Sequence, residues 1–148
     1  MIRLALPQEA SAVRDLVRAA YQHYVPRIGR EPMPMTDDYG QRIADGQCWV
    51  LIDDAALAGV LVLEEQADCF MLENIAVAPD RQGQGLGRVL LDFAETQAYR
   101  AGWDAITLYT NVKMTENIAI YRARGYEERE RRGEHGFERV YMVKPLVA

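Results

Sequence analysis

Residues 77–88 read Val77-Ala78-Pro79-Asp80-Arg81-Gln82-Gly83-Gln84-Gly85-Leu86-Gly87-Arg88, an apolar run that gives way to alternating glycines and then to a helical pattern. Upstream, Cys69 to Ala78 is a β-leaning stretch closed by Pro79. Downstream, Leu86, Val89, Leu90, Phe93, Ala94 and Ala98 recur at helical spacing as far as a C-terminal cap at Gly102. A strand, a glycine turn and a helix in this order can hold a phosphate group. Glycines let backbone N–H groups approach an anion, and the helix N-terminus adds unpaired donors and partial positive charge. Arg81 and Arg88 add fixed charge beside the turn.

Spacing separates the known kinds of anion loop. A P-loop needs Lys and Ser/Thr after its last glycine, and Arg88-Val89 stands there instead. A dinucleotide GxGxxG fails in both registers, because Leu90 or Arg88 occupies the position of the third glycine. What remains is Gln82-x-x-Gly85-x-Gly87, a pyrophosphate cradle of another kind.

Outward from the loop the pattern mixes helix and strand. Ile2 to Ala5 alternates like a strand, and Pro7 precedes an amphipathic helix over residues 8–24 whose apolar stripe includes Val13, Leu16, Val17, Ala20, Tyr21 and Tyr24. Residues 25–40, with Pro26, Pro32, Pro34, Gly29 and Gly40, form the longest irregular stretch, and a brief helix follows near Asp38 to Ala44. Cys48 to Asp53 and Leu57 to Glu64 make a hairpin. After the helix at 86–101, Ala105 to Thr110 is a strand. Thr115 caps a helix that ends at Gly125, and Tyr126 to Arg132 with Phe137 to Lys144 form a second hairpin. The order predicts one α/β (α+β) domain over residues 1–148, with a mixed sheet and helices on its faces.

Composition bounds the function. The chain has 148 residues, 49% of them hydrophobic, with a net charge of −5, which fits a globular fold and not a disordered chain. The acidic excess lies in the first half: residues 1–70 carry six Arg against eleven Asp and Glu, whereas residues 71–148 balance. With no basic stripe, nucleic-acid binding is not expected. No apolar run approaches the ~20 residues of a membrane span, and the opening residues meet Pro7 and Glu9 before a leader could form, so a cytoplasmic protein is expected. Cys48 and Cys69 match no paired spacing, and His23 and His135 suggest no zinc site, so no metal is expected.

The sequence resembles the GNAT superfamily of N-acetyltransferases. Its acetyl-CoA motif, Gln/Arg-x-x-Gly-x-Gly/Ala after a Val-x-Pro, is matched by Gln82, Gly85 and Gly87 with Val77-Ala78-Pro79. A second block, with Asn117 and Tyr121 followed by Gly125-Tyr126, resembles the family's later helix. The resemblance implies a mostly antiparallel sheet of about seven strands with about four helices, splayed between strands 69–78 and 105–110. It implies acetyl-CoA as cosubstrate, its pyrophosphate held by the amides of Gln82, Gly83, Gln84, Gly85, Leu86, Gly87 and Arg88. The pantetheine arm would lie along Ile75, Ala76 and Val77, with Asn117 near its end.

The implied chemistry is acetyl transfer to a primary amine by direct attack in a ternary complex. Tyr121 is then the phenol beside the cofactor sulfur, able to protonate the departing thiolate. Glu73 interrupts an apolar strand and is the general-base candidate, or alternatively a charge at the open splay that binds a cation. Strand alternation puts it on the face of Met71, Ile75 and Val77, with Asn74 opposite. The backbone N–H of Ile75 or Ala76 would face the oxyanion, and Tyr109 and Asn111 would line the acceptor side. Glu31, Asp37 and Asp38, with Glu64, Glu65 and Asp68, either suit a cationic amine or are solvated surface charges. A non-catalytic acyl-CoA-binding module is the second reading, and an exposed terminal hairpin edge allows a homodimer.

Overall fold

The computed structural model describes residues 1–146. The chain runs β1 (Ile2–Leu4), α1 (Ala10–Tyr21), α2 (Val25–Ile28), α3 (Tyr39–Ala44), β2 (Cys48–Asp53), β3 (Ala56–Glu65) and β4 (Phe70–Val77). It continues through α4 (Leu86–Arg100), β5 (Ala105–Asn111), α5 (Thr115–Ala123), β6 (Glu127–Glu134) and β7 (Phe137–Pro145), with short 3-10 turns between. Seven strands form one sheet in the order β1-β2-β3-β4-β5-β7-β6. Every pairing is antiparallel except β4 with β5. This mixed, mostly antiparallel α/β sheet is the arrangement expected from the sequence.

Two boundaries differ from expectation. The irregular stretch over 25–40 begins with a helical turn, α2, because Pro26 sits in its first turn, where a missing N–H costs nothing, and Gly29 ends it at φ +91°. Thr115 is the first residue of α5 rather than its cap; its hydroxyl donates to Glu116 Oε1 at 2.9 Å, and Met114 holds the cap position.

Side-chain alternation divides the sheet into two apolar layers. Cys48, Val50, Val60, Val62 and Ala76 pack against Val13, Val17 and Tyr21 of α1 and Ile43 of α3. Leu61, Leu63, Leu72, Ile106, Leu108, Val140 and Met142 pack against Leu90, Leu91, Ala94 and Ala98 of α4 and Ile118 of α5. Fully enclosed residues such as Leu61 and Leu90 each contribute about 2 kcal/mol by leaving water.

The strand β4 carries the feature that shapes the site. Val62 opposes Asn74 and the next residue, Leu63, opposes Leu72, so Glu73 is an extra residue, a β-bulge. The bulge shifts the alternation by one. Leu72 and Ile75 both face α4, while Asn74 and Ala76 face α1. Glu73 reaches Tyr109 and the Arg42 of α3 on that same side. This corrects the expectation from simple alternation, which grouped Glu73 with Ile75 and Val77 and set Asn74 opposite.

Candidate active site

The parallel pairing of β4 with β5 is two residues long, Met71 with Thr107 and Leu72 with Leu108, and then stops. Beyond it the strands diverge and leave the far half of β4 unpaired on that edge. Ala78 donates its N–H to Ala58 on β3. The antiparallel ladder then turns the backbone of Ala76 toward β3, and that of Ile75 and Val77 into the gap. Two side chains confirm the direction: Tyr21 Oη lies 3.1 Å from the Ile75 carbonyl oxygen, and Gln82 Nε2 donates to the Val77 carbonyl at 3.2 Å. Of the two amides expected near the oxyanion, Ile75 is therefore the one that faces the gap.

At the end of β4 the glycine turn winds into α4. Gly83 and Gly85 both adopt φ +82°, the left-handed region in which a side chain is strained, and a Cβ on either would point into open space. None of the backbone N–H groups from Gln82 to Arg88 donates to another protein group among the described residues; the first helical bond is Val89 N–H to the Gly85 carbonyl at 3.2 Å. A run of free, outward amides at a helix start fits a pyrophosphate. Arg88 is exposed and makes no ion pair among the described residues, whereas Arg81 is held by Asp53 at 2.6 Å.

The gap opens into a cleft of about 790 Å³. Its walls include Ile75, Ala76, Val77, the glycine turn, Asn117 and Tyr121, so the structure brings nearly every expected cofactor-side residue to one place; the Gln84 side chain is exposed away from this wall. Sequence reading missed the opposite wall, formed by Tyr21, His23 and Tyr24 at the end of α1. The signal was present in the polar tips of the tyrosines on the buried stripe. Tyr24 Oη lies 3.4 Å from Asn117 Oδ1 across the cleft.

A neck of about 40 Å³ leads inward from the cleft. It shares Tyr21, Ile75, Asn117 and Tyr121 with the cleft on one side. On the other side it shares Met33, Glu73, Tyr109 and Arg139 with a second, outer cleft of about 490 Å³. Tyr121 and Glu73 thus both line this small cavity, Tyr121 where it adjoins the first cleft and Glu73 where it adjoins the outer one. The Tyr121 hydroxyl has no hydrogen-bond partner among the described residues, and burial raises its pKa, so it keeps its proton. Burial, reinforced by the neighbouring Glu64 carboxyl, pushes Glu73 up to about 7 against the opposing pull of Arg42. A carboxylate poised there can both accept and release a proton near neutral pH.

Asn74, expected to be structural because it would face away from Glu73, instead lies on the same side and lines the neck, where it bridges two tyrosines. It is buried, accepts from Tyr21 Oη at 2.8 Å and donates to Tyr39 Oη at 3.0 Å, and Tyr39 in turn donates to the Pro34 carbonyl. This chain ties the 29–35 segment over the neck. The same segment is clasped by Arg18 through Glu31 and the Met35 carbonyl.

The acidic residues of the first half are largely engaged. Glu31 pairs with Arg18, Asp37 and Glu64 with Arg42, Asp38 caps α3 at Gln41 N–H, and Glu65 accepts from Trp103. The outer cleft carries Arg42, Arg129, Arg132 and Arg139 beside Asp68, Glu73, Glu130 and Glu134. Its charge is mixed, and of the acids that suggested a cationic acceptor Glu31, Asp37 and Glu64 are paired with arginine within the protein.

Comparison with known proteins agrees with this geometry. Residues 44–128 match the family described as the acetyltransferase (GNAT) domain. The chain belongs to the GNAT acetyltransferase family. It is similar to an IAA acetyltransferase of Azospirillum brasilense, 31% identical over 90 residues that make up 60% of this chain and 59% of the relative. It is also similar to the ribosomal protein bS18 alanine N-acetyltransferase of Escherichia coli K12, 36% identical over 74 residues, 50% of this chain and 48% of the relative. The matches thus span about half to three fifths of these relatives. In fold it resembles the PaiA N-acetyltransferase of Thermoplasma acidophilum, solved in complex with coenzyme A, with a TM-score of 0.81, 17% identity and 98% of each chain covered.

Proposed function

We propose that this protein is an acetyl-CoA-dependent N-acetyltransferase acting on a primary amine by direct attack within a ternary complex. The observation that carries the reading is the passage from the open amide cradle to Glu73, with Tyr121 at its cofactor end. Acetyl-CoA would lie with its pyrophosphate on the amides of residues 82–88 and its arm along Ile75 and Val77, so that the thioester enters the neck.

The roles follow from position. Glu73 takes the proton of the incoming ammonium or of the attacking nitrogen, directly or through water. As the C–N bond forms, the N–H of Ile75 is placed to stabilise the oxyanion. The C–S bond then breaks, and the Tyr121 hydroxyl supplies the proton for the thiolate. Tyr109 donates to Glu73 Oε2 at 3.1 Å and fixes that carboxylate. A covalent cysteine route has no support from the thiols, because burial pushes Cys48 up to about 12 and also raises Cys69, which disfavours the nucleophilic thiolate.

The test is calorimetric titration with acetyl-CoA, CoA and NADH, followed by thiol-release assays on an amine panel. Binding of both CoA forms but not NADH, together with amine-dependent thiol release, supports the reading. Failure of CoA to bind would remove it, and binding without turnover on any amine would favour a non-catalytic CoA-binding module.

A further inference from the structure

Four arginines line the outer cleft, and they differ in one respect. Arg42 bonds Asp37 Oδ2 and Gln47 Oε1, each at 2.9 Å, and approaches Glu64 at 3.4 Å. Arg129 and Arg132 are exposed and pair with Glu127 and Glu130 along β6. Arg139 of β7 is only 5% exposed, and yet no oxygen accepts a hydrogen bond from it among the described residues. Its one acceptor is the Met33 sulfur at 3.0 Å, and the only carboxylate within 4 Å is that of Glu134, at 3.6 Å.

A buried guanidinium is costly unless its in-plane donors are met. The face of Arg139 is occupied, since its central carbon lies 4.3 Å from the centre of the Tyr109 ring. Along the edge of the fork Nη2 meets only the Met33 sulfur and Nη1 stands 3.6 Å from Glu134, so no oxygen holds it at hydrogen-bond distance, and that edge is what recognises an oxyanion, often with two parallel bonds. Arg139 borders both the neck and the outer cleft. No enclosed side-chain nitrogen among the described residues lacks a partner, so an Arg139 donor without one is accessible, on a residue that lines both spaces.

The position is informative because of Tyr109. Its ring carries Arg139 on one face, while its hydroxyl touches Glu73. An amine at Glu73 and an anion at Arg139 would therefore be separated by about the breadth of a phenol ring, within the span of one small molecule. Resting on the acetyltransferase reading, we propose that the acceptor is a small amine that bears a carboxylate, and that Arg139 is the residue that selects it. A peptide N-terminus, whose nearest carboxylate is replaced by an amide, would lack this contact.

The experiment compares acids with their amides. The standard α-amino acids, β-alanine and γ-aminobutyrate are each assayed beside the corresponding carboxamide by thiol release and product mass. At least one acid should exceed its amide in kcat/KM by on the order of tenfold or more, the worth of a charge-assisted contact, with the difference mainly in KM. Arg139→Gln should erase that difference and Arg139→Lys should restore part of it, with thermal melts and CoA titration confirming that both variants fold. Equal turnover of acids and amides, preference for amides or peptides, or a preference that survives Arg139→Gln would overturn the proposal.

If no amine is acetylated, the acetyltransferase reading fails on its own, and the anion site is then read by binding. The N-acetylated acids and their amides are titrated into the CoA-bound protein. Binding of acids only, lost in Arg139→Gln, sustains the site, and no discrimination between the two sets removes it.

Discussion

Tyr109 donates its hydroxyl to Oε2 of Glu73 at 3.1 Å, although the strands that carry the two residues have stopped pairing one position earlier, at Leu72 and Leu108. The side chains thus take over where the backbone ladder ends. The bulge makes this contact available: without the extra residue, the position after Leu72 would continue the ladder with β3, and no carboxylate would be directed at the mouth of the splay.

The pH dependence follows from Glu73. With its pKa near 7, kcat/KM for acetylation should rise with pH through about 7 and then level. Glu73→Gln should lose most activity at neutral pH and recover partly at high pH, as free amine accumulates. An unaltered profile in the variant would remove Glu73 as the base.

The same group makes a stability prediction. Its native pKa lies above the ordinary value of 4.5, so the folded state holds the proton more tightly than the unfolded chain. The stability this supplies is complete below about 4.5 and is lost as pH rises through about 7. Glu73→Gln, which stays neutral, should therefore be more stable than the parent at pH 8, by on the order of 1 to 3 kcal/mol. At pH 4 the advantage should vanish, which denaturation at the two pH values would check.

Tyr121→Phe should lower kcat by roughly 10- to 100-fold while leaving CoA affinity close to that of the parent. The hydroxyl makes no bond to the protein among the described residues, so its loss should leave the melting temperature nearly unchanged. Steady-state kinetics beside calorimetry separates the two effects, and full turnover in the variant would exclude the phenol from the reaction.

Gly85→Glu should abolish CoA binding. The residue caps α4 at φ +82°, so any side chain costs about 1 kcal/mol or more in the left-handed region, and a carboxylate would occupy the cradle with the charge of the ligand. Gly85→Ala is the milder control and should bind CoA weakly. Titration of both with CoA reads the difference.

Asn74→Ala should cost about 1 to 2 kcal/mol, because two buried hydrogen bonds are lost while the Tyr21 and Tyr39 hydroxyls each keep a backbone carbonyl, that of Ile75 and that of Pro34. Denaturant unfolding measures the loss. The segment over the neck should also loosen, with faster amide exchange at Met35 and Thr36, whose turn bonds rest on that chain of contacts.

Much of this architecture was legible in the sequence for local reasons. The glycines at 83, 85 and 87, the apolar period of α4 and the paired β-leaning runs each act within a few residues, so their pattern carries their structure. The bulge at Glu73 was not legible, because it depends on how β3 meets β4 and not on β4 alone. Arg139 was hidden for a similar reason. In sequence it belongs to an alternating hairpin of Arg and Glu, and only the pairing of β7 with β5, which sets it opposite Asn111, carries it beneath the neck. Tyr21 and Tyr24 read as core residues, and their bodies are buried; their hydroxyls act at a distance of more than fifty positions along the chain.

The two-residue contact between β4 and β5 also bears on how the molecule holds together. It is the only stretch of strand pairing that joins the panel β1–β4 to the panel β5–β7 among the described residues. The rest of the union is made by side chains: the apolar layer beneath α4, and polar contacts such as Tyr109 with Glu73, Tyr24 with Asn117 and Trp103 with Glu65. A ligand that lies along Ile75 and reaches Tyr109 and Arg139 touches both panels, so it acts as a rivet across a short seam. Hydrogen exchange at Met71, Leu72, Thr107 and Leu108 would then report occupancy of the whole passage, even though none of these amides touches the cofactor cradle.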